Sequence, residues 1–178
     1  MNAFGSNPVA LVTGSANRLG REVSLHLAAL GYDIALHYHQ SAALAKQTAL
    51  DISNLGVSTH LLQASLTNPA EIEAMFQELA SLPGQLSVLV NSAAVMPRAS
   101  LLEMDHSTWD ETFGLNLRAP WLCSKYACSL MSENGGNIIN ITDSGADRNW
   151  SNYAAYVVSK SALQHLTRLL ARTLAPAI

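Results

Sequence analysis

The chain has 178 residues, 49% hydrophobic and 13% charged, with a formal net charge of −3. That suits one ordinary domain with a buried core and excludes a disordered segment. The absence of a basic run excludes a nucleic-acid partner, and no apolar stretch reaches the roughly 20 residues of a membrane span.

The N-terminal "MNAFGSNP" lacks the basic and apolar regions of a secretory signal, so a cytoplasmic protein is expected. "VALVT" (9–13) reads as a first strand. A helix over 19–30 would place Leu19, Val23, Leu27 and Leu30 on one face and close at Gly31. "DIALHYH" (33–39) is a second strand, followed by a helix opened by Ser41 and closed by Gly56. "STHLLQA" (58–64) is a third strand. The next helix has Asn68 as N-cap, Pro69 at its first position and Glu71 at the capping-box position. "LSVLVNSAA" is a fourth strand, a long helix runs over about 106–132, "GGNIINIT" is a fifth strand, and a last helix spans about 151–174. Cys123 and Cys128 lie five apart in one helix, off a shared face, and read as buried free thiols of a reducing compartment.

Five rounds of strand then helix predict a Rossmann-type α/β fold: one domain, a doubly wound parallel sheet, helices on both faces. Apolar runs such as "SVLV" and "NIINI" suit strands buried on both sides. Such sheets bind ligands beyond the carboxyl ends of their strands. After the first strand stand Gly14, Asn17, Arg18, Leu19 and Gly20, a glycine turn that lets backbone amides approach a pyrophosphate. The middle glycine of G-x-G-x-x-G is missing, so the motif alone is weak. After the second strand, where an acid would bind the ribose of NAD, stand His37, Tyr38, His39, Gln40 and Ser41. With no acid there and Arg18 close by, a 2′-phosphate is favoured, which points to NADP. His37 and His39 taken alone suit a surface or internally satisfied histidine as well as a ligand contact. Asn91, Ser92 and Ala93 follow the fourth strand. After the fifth come Asp143 and, thirteen residues on, Tyr156, then Lys160 at i+4 on one helix face. A lysine beside a phenol would lower its pKa from about 10 and make it a usable proton donor.

"TGSANRLG", "VLVNSAA", Asn116 in "GLNLRAP" and "YVVSK" together resemble the short-chain dehydrogenase/reductase family over nearly the whole chain. Within it, "TGSANRLGRE", "HYHQSAALA" and Asp143 look like the pteridine reductases. The resemblance implies an NADPH-dependent reductase. Tyr156 would donate a proton with help from Asp143, Lys160 would lower the Tyr156 pKa and hold the nicotinamide ribose, and Asn116 would support a water relay. Hydride would pass to a C=N bond of a pterin or dihydrofolate. Arg18, His37 and Ser41 would hold the 2′-phosphate. Further cofactor contacts would come from Gly14, Asn17, Leu19, Gly20, Tyr38, His39, Ser65, Leu66, Asn91 and Ala93, and Met96 would meet the substrate. Four positions depart from the subgroup: Gln40 for Arg, Ser65 for Asp, Ser92 for Asn, and Met96 for a ring-stacking aromatic. The alternatives are a carbonyl or alcohol oxidoreductase of the same family and a non-catalytic nucleotide-binding relative. The family continues with further C-terminal strands, so the chain reads as C-terminally incomplete with one sheet edge open. The family also forms tetramers through its two long helices, which makes Trp109, Trp121 and Tyr126 candidates for an interface or for the core.

Overall fold

The structure, a computed structural model, describes residues 7–131, 135–148 and 150–178. Most of the stretch examined for a secretory signal, and the expected helix end at 132, lie outside these residues. Five strands, β1 (Val9–Val12), β2 (Asp33–Tyr38), β3 (Thr59–Gln63), β4 (Leu86–Asn91) and β5 (Asn137–Asn140), form one sheet. Its order is β3-β2-β1-β4-β5 and every pairing is parallel. This is the expected doubly wound α/β architecture. β1 is central, with Val12 in register with Leu36 of β2 on one side and Val90 of β4 on the other. Strand order reverses between β1 and β4, which opens a crevice at their carboxyl ends.

The pleat sorts β-strand side chains into two cores. Val9, Leu11, Ala35, Leu62 and Leu89 face one side and pack with α3 (Pro69–Ser81) and α5 (Ala119–Met131), through Ile72, Phe76, Cys123 and Met131. Ala10, Val12, Ile34, Leu36, Val88 and Val90 face the other and pack with α1 (Arg18–Ala29) and α2 (Ala42–Ser53), through Ala28, Ala45 and Ile52. Each fully buried Leu or Ile contributes about 1.5–3 kcal/mol.

Three readings are corrected. The buried face of α1 is Gly20, Ser24 and Ala28, whereas Leu19 and Leu30 are exposed. Small residues let α1 lie close to the sheet, and the leucines at its ends overhang it. β5 is not buried on both sides: it is an edge strand, and Ile139 is 46% exposed. The long fourth helix is not continuous. It consists of α4 (His106–Phe113), a π-helical turn (Gly114–Arg118) and α5. The Asn68 side chain accepts from the Ala70 N–H, as a cap should, but Glu71 reaches the Ser65 N–H, outside its own helix.

The last helix, α6 (Ala154–Leu174), packs on α4 and on the π-helical turn. Tyr126 pairs with Phe76 at 5.6 Å and belongs to the core side, whereas Trp121 is exposed. Trp109 stacks on Phe113 at 4.5 Å. Cys123 is buried, and burial pushes its thiol up to about 12; Cys128 is only partly buried, and both thiols are free. No described helix is long and apolar enough to cross a membrane.

Candidate active site

The turn after β1 is shaped by what cannot fit in it. Gly14 has φ +67°, and a Cβ there would lie 3.0 Å from the Ala93 Cα. A Cβ on Gly20 would overlap the Gly14 carbonyl oxygen. Both glycines therefore leave backbone bare at the floor of a cleft of about 610 Å³. Asn17, extended at φ −156°, makes no side-chain cap on α1, so the first-turn amides of that helix point uncapped toward the cleft. A bare cradle and free helix-start amides suit a dinucleotide pyrophosphate.

Hydrogen bonds to the strand ends hold this floor. Thr13 Oγ1 accepts from the Ser92 and Ala93 N–H groups and so ties the end of β1 to the end of β4. His37 is almost completely buried. Its Nδ1 accepts the Gly14 N–H at 3.0 Å, which leaves Nε2 protonated to donate to the Ala64 carbonyl at 3.1 Å. Burial holds the ring neutral, with a pKa lowered to about 4. His37 is thus corrected from a phosphate contact to a brace, because both of its nitrogens are engaged within the protein. Two further cofactor assignments move similarly. Tyr38 turns its hydroxyl to Gln63 and packs on the α1/α2 core. The Asn91 amide donates to Asn140, which donates to Thr167 of α6.

The cleft is lined by Gly14, Asn17, Arg18, Leu19, Gly20, His37, His39, Ser65, Leu66 and Ala93 among the predicted residues, the His37 ring with both nitrogens already engaged. Ser41 does not line it and instead stands at the start of α2. Sequence reasoning missed Thr67, Val95, Glu111 and Leu115, which line it from other elements. Arg18 takes φ +49°. It lines both this cleft and an adjoining cavity of about 500 Å³ shared with Met96, Pro97 and Glu111. The arginine therefore stands between the dinucleotide cleft and the Met96 side, and it makes no ion pair among the described residues.

Beyond β5 lies the cluster of predicted catalytic residues. Asn116 sits fully buried in the π-helical turn, where its Oδ1 accepts the Val95 N–H and its Nδ2 donates to the Val95 carbonyl and to Ser159 Oγ. It pins the segment after β4 to α6. The Tyr156 hydroxyl donates to Asp143 Oδ2 at 2.6 Å, and the Gly145 N–H donates to Oδ1 of the same carboxylate at 2.6 Å. Lys160 Nζ donates to the Ile141 carbonyl at 2.7 Å and lies 5.9 Å from the Tyr156 ring centroid.

These contacts decide the protonation pattern. The bond from Tyr156, the Gly145 amide and the Lys160 charge hold the Asp143 carboxyl below its usual range. Burial, and then the Asp143 carboxylate, push the Tyr156 phenol well above its ordinary value. Burial lowers the Lys160 ammonium, against the opposing pull of Asp143. The expectation that Lys160 lowers the Tyr156 pKa is therefore corrected: Asp143 is the nearer charge and acts in the opposite sense. The pair is a protonated phenol bonded to an ionised carboxylate.

The profile of the family described as Enoyl-(Acyl carrier protein) reductase matches residues 14–178. The chain belongs to the short-chain dehydrogenase/reductase family. Within that family it is 34% identical over 165 residues to "Uncharacterized oxidoreductase YohF" of Escherichia coli (strain K12), an alignment covering 92% of this chain and 65% of that protein. It is 32% identical over 170 residues to the 3-oxoacyl-[acyl-carrier-protein] reductase FabG of Staphylococcus epidermidis, covering 95% of this chain and 70% of FabG. The structure of FolM alternative dihydrofolate reductase 1 from Brucella canis, complexed with NADP, superposes with a TM-score of 0.89 at 28% identity, covering 97% of this chain and 70% of that one. The chain thus spans about two thirds of the length of these family members.

Proposed function

We propose that this chain carries the cofactor cleft and proton-donating centre of an NADP(H)-dependent short-chain oxidoreductase that reduces a carbonyl compound. The observation that carries the reading is the Asp143–Tyr156–Lys160 cluster beside a glycine-floored cleft. A nicotinamide cofactor supplies the hydride when bound. The chain's own residues do the rest. Tyr156, protonated at neutral pH, gives its hydroxyl proton to the atom that gains negative charge. Lys160, held by Ile141, keeps a positive charge close to that atom. Asn116 fixes the loop through Val95 and so sets the wall of the pocket. Arg18, His39 and Gln40 line the cleft with donors, and the segment after β2 carries no acid, which supports NADP over NAD. The NADP-bound FolM neighbour supports the same choice, and the similarity to FabG supports a carbonyl substrate.

A second reading, reduction of a pterin or dihydrofolate C=N bond, is favoured by Asp143. An ionised carboxylate repels a developing alkoxide, but it accepts an N–H and stabilises a cationic C=N group. The FolM likeness supports this reading. A non-catalytic role fits less well, because Tyr156, Lys160 and Asn116 are all in place. Assembly into tetramers would use the groove of about 860 Å³ between α4, α5 and α6, lined by Phe113, Leu117, Trp121, Leu166 and Leu169. The free thiols Cys123 and Cys128 suit a reducing cytoplasm.

The test is cofactor oxidation with NADPH, and NADH as control, offering an aliphatic ketone and a dihydropterin in parallel. Turnover of the ketone supports the main reading, and turnover of the pterin alone supports the second. Turnover of neither with either cofactor overturns both.

A further inference from the structure

We propose that Trp150 is a specificity-determining residue, its indole forming an aromatic wall beside the Asp143–Tyr156 pair that selects planar conjugated ring substrates. The proposal rests on reading that pair as the reaction centre. Gly145 donates its N–H to the Asp143 carboxylate, and on the same residue a Cβ would lie 2.6 Å from Trp150 Cζ3 and 2.9 Å from Cζ2. The six-membered ring of the indole therefore rests on the Cα of the residue whose amide grips the reactive carboxylate, and a glycine is needed for it to do so. Tyr153 meets Trp150 edge-on at 6.4 Å. Tyr153 pairs in turn with Ala99, and the Ala154 N–H donates to the Ala99 carbonyl at 3.4 Å. Trp150, Tyr153 and the segment that follows Met96 are thus joined, and the indole reaches the reaction centre through Gly145.

Trp150 is held on one side and 38% exposed on the other. An indole immobilised in this way offers a flat, polarisable surface at little entropic cost. A flat ring presenting its reducible bond to Tyr156 gains offset stacking on that surface, and a short aliphatic ketone gains almost none. Met96 on the neighbouring segment supplies a thioether, which packs on ring edges.

The experiment compares wild type, Trp150→Ala and Trp150→Phe of the complete protein, with a bicyclic aryl ketone and a short aliphatic ketone as substrates. Trp150→Ala is expected to lower kcat/KM for the aryl ketone about tenfold, mainly through KM, while the aliphatic ketone changes by less than about twofold. Trp150→Phe should restore most of the aryl preference. Equal losses on both substrates, or no loss on either, would overturn the proposal. Tyr156→Phe serves as the control: it should abolish both activities whether or not Trp150 selects rings, so failure of the reaction-centre reading shows separately. If wild type turns over neither ketone, the quenching of tryptophan emission by the aryl ketone decides. Quenching lost in Trp150→Phe supports the wall, and undiminished quenching refutes it.

Discussion

His37→Leu removes one side chain and leaves a buried carbonyl and a partly buried amide without a bond. The Gly14 N–H loses its acceptor at 3.0 Å and the Ala64 carbonyl its donor at 3.1 Å. A buried group left unsatisfied costs about 1–3 kcal/mol and the cleft-facing amide less, so the expected loss near neutral pH is about 1–4 kcal/mol. That is a large share of a typical domain stability of about 5–15 kcal/mol. The pH dependence is a second, independent signature. Burial, opposed in part by the Ala64 bond and aided by the charge of His39, lowers the folded pKa to about 4. The unfolded ring titrates near about 6.5, so between these values the unfolded chain binds the proton and the folded chain does not. His37 therefore makes stability rise with pH in this window: it is complete above the unfolded pKa and is lost as pH falls toward the folded one. From about pH 7.5 to about pH 5 the wild type should lose about 2 kcal/mol through this group alone. The leucine variant lacks that loss, so the stability gap between the two proteins should narrow by the same amount. Urea melts of both proteins at the two pH values measure it. A gap below about 1 kcal/mol near neutral pH, or one that ignores pH, would refute the bracing role.

Three further outcomes follow from the site. Gly20→Ala drives a methyl into the Gly14 carbonyl, so the helix start must move off the loop; dinucleotide binding measured by calorimetry should weaken at least about tenfold, with a stability loss of about 1–3 kcal/mol. Burial holds the phenol up first and the Asp143 carboxylate adds to it, so Asp143→Asn should let the Tyr156 pKa fall part of the way. Because reduction needs the protonated phenol, the alkaline fall of the pH–rate profile should move to lower pH; an unchanged profile would disconnect Asp143 from Tyr156. Arg18→Ala should weaken NADPH binding and spare NADH, and equal weakening of both would place Arg18 away from the 2′-phosphate.

The sheet was legible because each strand is a short apolar run closed by turn residues, and the first three helices end at glycine or Pro-Gly signals. The faces were less so. Leu19 and Leu30 outrank Gly20, Ser24 and Ala28 in hydropathy, yet close approach of α1 to the sheet selects small side chains, and only the packed layers reveal that. "NIINI" reads as a central strand because composition does not say where a sheet ends. At the site, Tyr156, Lys160 and Asp143 could be found from spacing. Their mutual charge effects could not, because the distance from Asp143 to the phenol depends on a loop that Gly145 shapes. His37 by itself read as a surface or satisfied histidine, and only the family resemblance made it a phosphate ligand; the partners of its nitrogens, Gly14 and Ala64, are distant in sequence. Glu111 and Leu115 reach the cleft only because α4 and the π-helical turn lie across it.

The π-helical turn at Gly114–Arg118 also constrains how this chain can vary. α4 before it serves α6, whereas α5 after it serves α3 and β4. A π-helical turn holds one residue more than an α-helical turn for nearly the same rotation, so losing one residue here would leave α5 facing α3 and β4 much as before. What the extra residue sets is local. Asn116 stands in this turn, fully buried and bonded to Val95 and Ser159. The length of the turn therefore bears on the loop after β4 and on α6 more than on the core.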